Sequence, residues 1–121
     1  MIPLLDLKRE YLEIKDEIDK NIKLVLESGS YILGKEVLKF EDNFANFCKS
    51  KFCIGTNSGT AALLMALKAV NIKEGDEIIT TPFSYAATAQ AILNSGAKPV
   101  FVDIKKNTFN IDENLIEAKI T

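Results

Sequence analysis

The chain has 121 residues, 47% of them apolar and 26% charged, a balance expected of a globular protein. Its length suits one domain burying roughly two-thirds of its unfolded surface. A net charge of −2, with basic residues scattered rather than striped, excludes the electrostatic footprint of a nucleic-acid or anionic-membrane binder. With no histidine and only Cys48 and Cys53, a Cys/His zinc site within one chain and any Ser-His or Cys-His nucleophile are excluded as well.

The N-terminal MIPLLDLKREY lacks the basic start and the apolar core of a signal peptide. No apolar stretch approaches a membrane span, and the default expectation is a cytoplasmic protein. Leu7, Tyr11, Ile14, Ile18, Ile22 and Val25 recur by threes and fours, which predicts an amphipathic helix over about 8–27, closed by Gly29. Val37, Phe40, Phe44 and Phe47 mark a second helical stripe after the loop SGSYILG. The two cysteines flank the end of this region and read as buried thiols in apolar surroundings.

Residues 51–55, KFCIG, read as a short strand, and the loop TNSGT leads into a helix to about Val70. Gly75-Asp76 marks a turn, and EIITT at 77–81 reads as a strand stopped by Pro82. A helix is expected from about Ala86 to Asn94, with Gly96 as its stop. KPVFVDI at 98–104 is the clearest strand, and Asp112 opens a last short helix. The order β-α-β-α-β-α after residue 50 predicts an α/β fold with a parallel sheet. In such folds ligands sit where strands run into helices. The loops around Ser58 and around Tyr85 occupy such places.

Asn57, Ser58, Gly59 and Thr60 precede an apolar helix. A helix N-terminus carries unpaired N–H groups and partial positive charge, so it attracts anions, phosphate among them. Gly59 lets a ligand approach the backbone, and Ser58 and Thr60 add hydroxyls. The same residues also suit an ordinary helix cap, and neither G-x-x-x-x-G-K-[ST] nor G-x-G-x-x-G is present. Phe83 and Tyr85 follow the next strand. An aromatic ring beside a phosphate site suits a flat ligand with a phosphate arm. A core contact is the plainer reading of Phe83, and both readings stand for Tyr85.

The blocks IPLLDLKREY (2–11), GSYILGKEVLKFEDNFA (29–45), GTNSGTAALLMAL (55–67), GDEIITTPFSYAATAQAIL (75–93) and KPVFVDIKKNTFNID (98–112) stand in this order and spacing. Together they resemble the N-terminal part of the DegT/DnrJ/StrS-type nucleotide-sugar aminotransferases, which depend on pyridoxal 5'-phosphate. The resemblance covers essentially the whole chain. It implies the large domain of a fold type I, aspartate-aminotransferase-like enzyme, three-layered with a mostly parallel sheet. Residues 1–50 would be N-terminal helices and 51–121 the alternating βα part with the phosphate loop.

The resemblance further implies that Gly59 and Thr60 hold the cofactor phosphate and Ser58 shapes that turn. Tyr85 would stack on the pyridine ring, with Thr88 close by, and Tyr31 in the 29–34 loop would approach the sugar. The implied partners are a nucleotide-linked keto-sugar, glutamate as amino donor and a second copy in a homodimer. Such chemistry also needs a lysine for the Schiff base and an aspartate for the ring nitrogen. In the family both lie beyond a position like 121. None of the fourteen lysines here stands in the Ser-x-x-Lys context, and Asp103 is expected to act in a turn. Residues 1–121 alone are therefore expected to be inactive and to fold poorly or associate. A sugar dehydratase of the same family, a non-catalytic protein binding a phosphorylated ligand or a partner, and an unrelated nucleotide-binding domain are the competing readings.

Overall fold

In the computed structural model, which describes residues 4–121, the chain divides into two compact units, Met1–Gly55 and Thr56–Thr121. The first two residues of the IPLLDLKREY block lie outside the described residues.

The first unit holds α1 (Leu7–Ser28) and α2 (Lys35–Cys48). Asp6 caps α1 by accepting the Arg9 N–H at 3.1 Å. Gly29 ends it in the left-handed region at φ 64°, where a side chain would be strained, and its N–H returns to the Leu26 carbonyl. On the predicted stripe Ile18 and Val25 are half-buried, while Leu7, Tyr11, Ile14 and Ile22 remain exposed. On α2 Phe40, Phe44 and Phe47 form a ladder of rings 5.6 and 6.2 Å apart, and Ala45 is buried.

Residues 51–55 form no strand. A strand exists only through ladder bonds to a neighbour. Here the Gly55 N–H is taken by the Glu41 carboxylate at 2.6 Å instead. The cysteines also depart from expectation. Cys48, the last residue of α2, is exposed, Cys53 is half-buried, and both are free thiols.

The second unit runs α3 (Gly59–Ala69), β1 (Glu77–Thr80), α4 (Ala87–Asn94) and β2 (Lys98–Phe101). Between α3 and β1 the Asp76 carboxylate accepts the Lys73 N–H at 2.8 Å and tightens the expected turn. β1 and β2 pair in parallel, Glu77 against Lys98 through Thr80 against Phe101, with α4 as the crossover. The ladder is extended by Lys98 N–H to the Asp76 carbonyl and Val102 N–H to the Thr80 carbonyl, both 2.8 Å. Ala91, Ile92, Ala97 and Val102 form the core between α4 and the strands. The β2 run is shorter than the predicted 98–104, because Ile104 leaves it to bridge Ile111 in an antiparallel hairpin. Asp103 serves that turn, its carboxylate accepting the Ile104 N–H at 2.8 Å. Asp112 caps a 3-10 turn, Glu113–Leu115, rather than an α-helix.

Lys105 and Glu113 form an ion pair that closes this hairpin. The Lys105 ammonium, hydrogen-bonded to Glu113, holds its carboxyl below the usual carboxylate range. A lowered folded-state value means the pair's contribution is complete above that range and is lost as pH falls through the lowered value. E113Q should therefore remove a small acid-side loss of stability, the part that sets in below the ordinary glutamate range and is complete once pH falls through the lowered value, visible in melting temperatures of wild type and variant. Ile92, 3% exposed, gives a larger effect. I92A should lower stability by about 2–5 kcal/mol in denaturant unfolding, since the cavity it leaves cannot fully collapse.

Candidate functional site: a cleft at the start of α3

Ser58 is extended, and its hydroxyl oxygen accepts the Ala61 N–H at 3.1 Å. Its carbonyl accepts the Ala62 N–H at 3.0 Å. Two amides of the first turn, Gly59 and Thr60, have no protein acceptor among the described residues. No acidic residue stands in this turn to compete for them. Thr56 contributes to the loop's shape by donating its hydroxyl to the Ser58 carbonyl at 3.0 Å.

A Cβ added to Gly59 would meet nothing within 4 Å. Packing within the protein does not require glycine there, so the open space belongs to whatever approaches the helix end. That space is a cleft of about 690 Å³ lined by Gly59, Thr60, Leu63, Ala66, Tyr85 and Thr88, with Ala62 and Ala87 completing the wall. Its volume lies within the roughly 300–1,000 Å³ of small-molecule sites.

Tyr85 comes from the loop after β1. Its ring is 83% exposed, so it is available to a ligand rather than spent in the core. Its carbonyl accepts the Thr88 N–H at 3.1 Å, and the Thr88 hydroxyl lies 3.4 Å from that of Ser84. The cleft therefore has an electropositive end made of amides, an apolar floor of Leu63 and Ala66, and an aromatic wall. The residues present can bind and orient an anion with a flat apolar body, and the lining includes no lysine, histidine or carboxylate.

Of the residues singled out in the sequence, Gly59, Thr60, Tyr85 and Thr88 meet at this cleft. Ser58 does not line it and works behind it as the cap. Tyr31 lies in the other unit, 63% exposed, with its hydroxyl donating to the Leu26 carbonyl at 3.2 Å. The small and apolar lining residues, Ala62, Leu63, Ala66 and Ala87, carried no chemical signal of their own. Only the helical spacing of 59, 62, 63 and 66 could have placed them on one face.

The model of the DegT/DnrJ/EryC1/StrS aminotransferase family matches residues 12–121. The chain belongs to this aminotransferase family. It is 48% identical over its full length to the UDP-2-acetamido-2-deoxy-3-oxo-D-glucuronate aminotransferase of Pseudomonas aeruginosa, covering 34% of that protein. Among solved structures, S. venezuelae DesV in complex with a ketimine intermediate superposes with a TM-score of 0.94 at 41% identity. That match covers 99% of this chain and 32% of that one. NtdA from Bacillus subtilis with bound cofactor PMP superposes at 0.89 and 34% identity, over 99% of this chain and 28% of that one. The chain thus spans about a third of the length of the aminotransferases it matches. Membership fixes the fold class as α/β, three-layered with a mostly parallel sheet, as in the N-terminal part of a fold type I enzyme. The residues described here contribute two of its strands.

Loss of the Ser58 cap is a local test of this geometry. S58A should cost about 0.5–2 kcal/mol in denaturant unfolding, whereas S58D should hold stability near wild type because aspartate caps equally well.

Proposed function

We propose that this chain is the cofactor-binding N-terminal part of a pyridoxal-phosphate-dependent nucleotide-sugar aminotransferase. One observation carries the reading. Gly59 and Thr60, whose amides have no protein acceptor among the described residues, line the same cleft as the exposed Tyr85, and no carboxylate lines it with them. The donor set fits the cofactor. Gly59 and Thr60 amides would hold the phosphate dianion, favoured by the helix's positive end. The Thr60 hydroxyl would add a further donor, and Tyr85 would cover the pyridine face. Leu63 and Ala66 would exclude water from one side of the ring, and Thr88 would support Tyr85 through their shared hydrogen bond. Ser58 acts by holding the turn.

When bound, pyridoxal phosphate supplies an electron sink for carbanions at the amino carbon. Residues of this cleft supply position and a dry wall. In this proposal the attaching lysine and the aspartate facing the ring nitrogen lie outside residues 1–121, and these residues alone do not catalyse. Family membership supports glutamate as amino donor and a nucleotide-linked keto-sugar as acceptor, with Tyr31 on the sugar side. The apolar surround of α3 supports a partner surface. Met65, which does not line the cleft, is 47% exposed. A helix apolar on all sides is normally covered on all sides. A homodimer of a protein working in the cytoplasm is the arrangement proposed.

The test is cofactor binding by the native protein that contains this sequence. It should bind pyridoxal phosphate, and bind pyridoxal, which lacks the phosphate, far more weakly. Y85A should weaken the phosphorylated cofactor about two- to tenfold, the worth of a stacking contact. S58D, stable but negatively charged at the helix end, should weaken it more, and a wild-type affinity in S58D would contradict the phosphate assignment. Borohydride reduction of the loaded protein followed by peptide mapping should find the pyridoxyl label on none of the fourteen lysines in this sequence. A label on any of them would refute the placement of the attaching lysine.

A further inference from the structure

Phe109 stands in the hairpin that follows β2. The hairpin is tied by the Ile104–Ile111 bridge, by Lys105 N–H to the Asn110 carbonyl at 2.9 Å and by Phe109 N–H to the Lys105 carbonyl at 2.9 Å. Asp112 N–H to the Asp103 carbonyl at 2.9 Å and the Lys105–Glu113 ion pair close its base. Phe109 has φ 59°, the left-handed region that a bulky residue rarely adopts. Glycine or asparagine would hold this turn with less strain, yet the position carries an aromatic ring. Burial does not account for it, because Phe109 is 60% exposed.

What the ring does is stack on Phe83, with centroids 5.7 Å apart and planes 26° from parallel. Phe83 is itself 62% exposed and lies two residues before Tyr85. Its N–H donates to the Thr81 hydroxyl at 3.2 Å, and the far end of the loop is tied by Thr88 N–H to the Tyr85 carbonyl. Both ends of the 81–86 loop are thus fixed by local bonds, and the Phe109 ring holds its middle from the side.

Resting on the cofactor reading above, we infer that Phe109 is a positioning residue: through the Phe83 ring it sets where the Tyr85 ring stands over the cleft. It touches no reacting atom, and its stack replaces the fixed support a core would give an exposed loop.

The experiment uses the native protein with pyridoxal phosphate as the probe and the variants F109L, F109Y and F83L. Leucine keeps an apolar side chain and the same backbone strain but has no aromatic plane, so F109L separates the stack from the turn. Three quantities are read: the cofactor dissociation constant, the visible circular-dichroism band of bound cofactor at saturation, and the melting temperature of the cofactor-free protein. F109L and F83L should each weaken binding about two- to tenfold and alter the visible band. The double variant should lose no more than either single one, because both remove one contact. F109Y, which can still stack, should match wild type. If F109L lowers only the melting temperature, or changes nothing while wild type binds the cofactor, the inference is overturned and the cofactor reading stands. If wild type binds no pyridoxal phosphate, both are overturned.

Discussion

The constraint on which the site depends is the supply of unpaired amides at the start of α3. A helix cannot satisfy its own first N–H groups. Ser58 takes two of them, Ala61 through its hydroxyl and Ala62 through its carbonyl, and leaves Gly59 and Thr60. The cap is therefore selective. It stabilises the helix without consuming the amides of Gly59 and Thr60, two residues that line the cleft. A carboxylate cap would serve the helix as well and place negative charge beside the proposed phosphate position. Serine, neutral and short, avoids that conflict.

The second half of the site depends on a loop rather than a helix. Tyr85 follows β1, at the C-terminal end of a parallel strand, where the fold leaves room between strand and helix. An exposed ring on a loop is mobile unless something holds it. Hydrogen bonds through Thr81 and Thr88 fix the loop's ends, and a stacked aromatic from the next hairpin reaches its middle. The β1–α4–β2 unit thus does more than build sheet. Its hairpin extension returns to the loop that carries the aromatic wall. The core of this unit is small, four side chains between α4 and the strands, and the apolar surplus stays on α3. The chain spans about a third of the length of the proteins it matches.

Much of this was legible in the sequence, and the exceptions have physical causes. The predicted helix at 8–27 is found at Leu7–Ser28, and Gly29 ends it, because periodicity and a left-handed cap are local signals. The parallel pairing of 77–80 with 98–101 followed from alternation of strand and helix. Residues 51–55 failed as a strand because a strand is a property of pairs, and composition cannot supply the partner. The cysteines failed for a related reason. Apolar neighbours in sequence do not bury a thiol at the end of a helix that is itself largely exposed. At the site, residues with polar or aromatic chemistry stood out, while the alanines of the wall and the role of Phe109 did not. Phe83 read as a core contact, and its ring instead meets an aromatic 26 residues away through a turn no propensity would assign to phenylalanine.

The most direct test of the central claim is a crystal structure of the native protein with pyridoxal phosphate bound. The account predicts phosphate oxygens within hydrogen-bond distance, roughly 2.7–3.2 Å, of the Gly59 and Thr60 amides, with the Tyr85 ring against the pyridine face. A cofactor seated with its phosphate on other donors, and the start of α3 left to water, would contradict it.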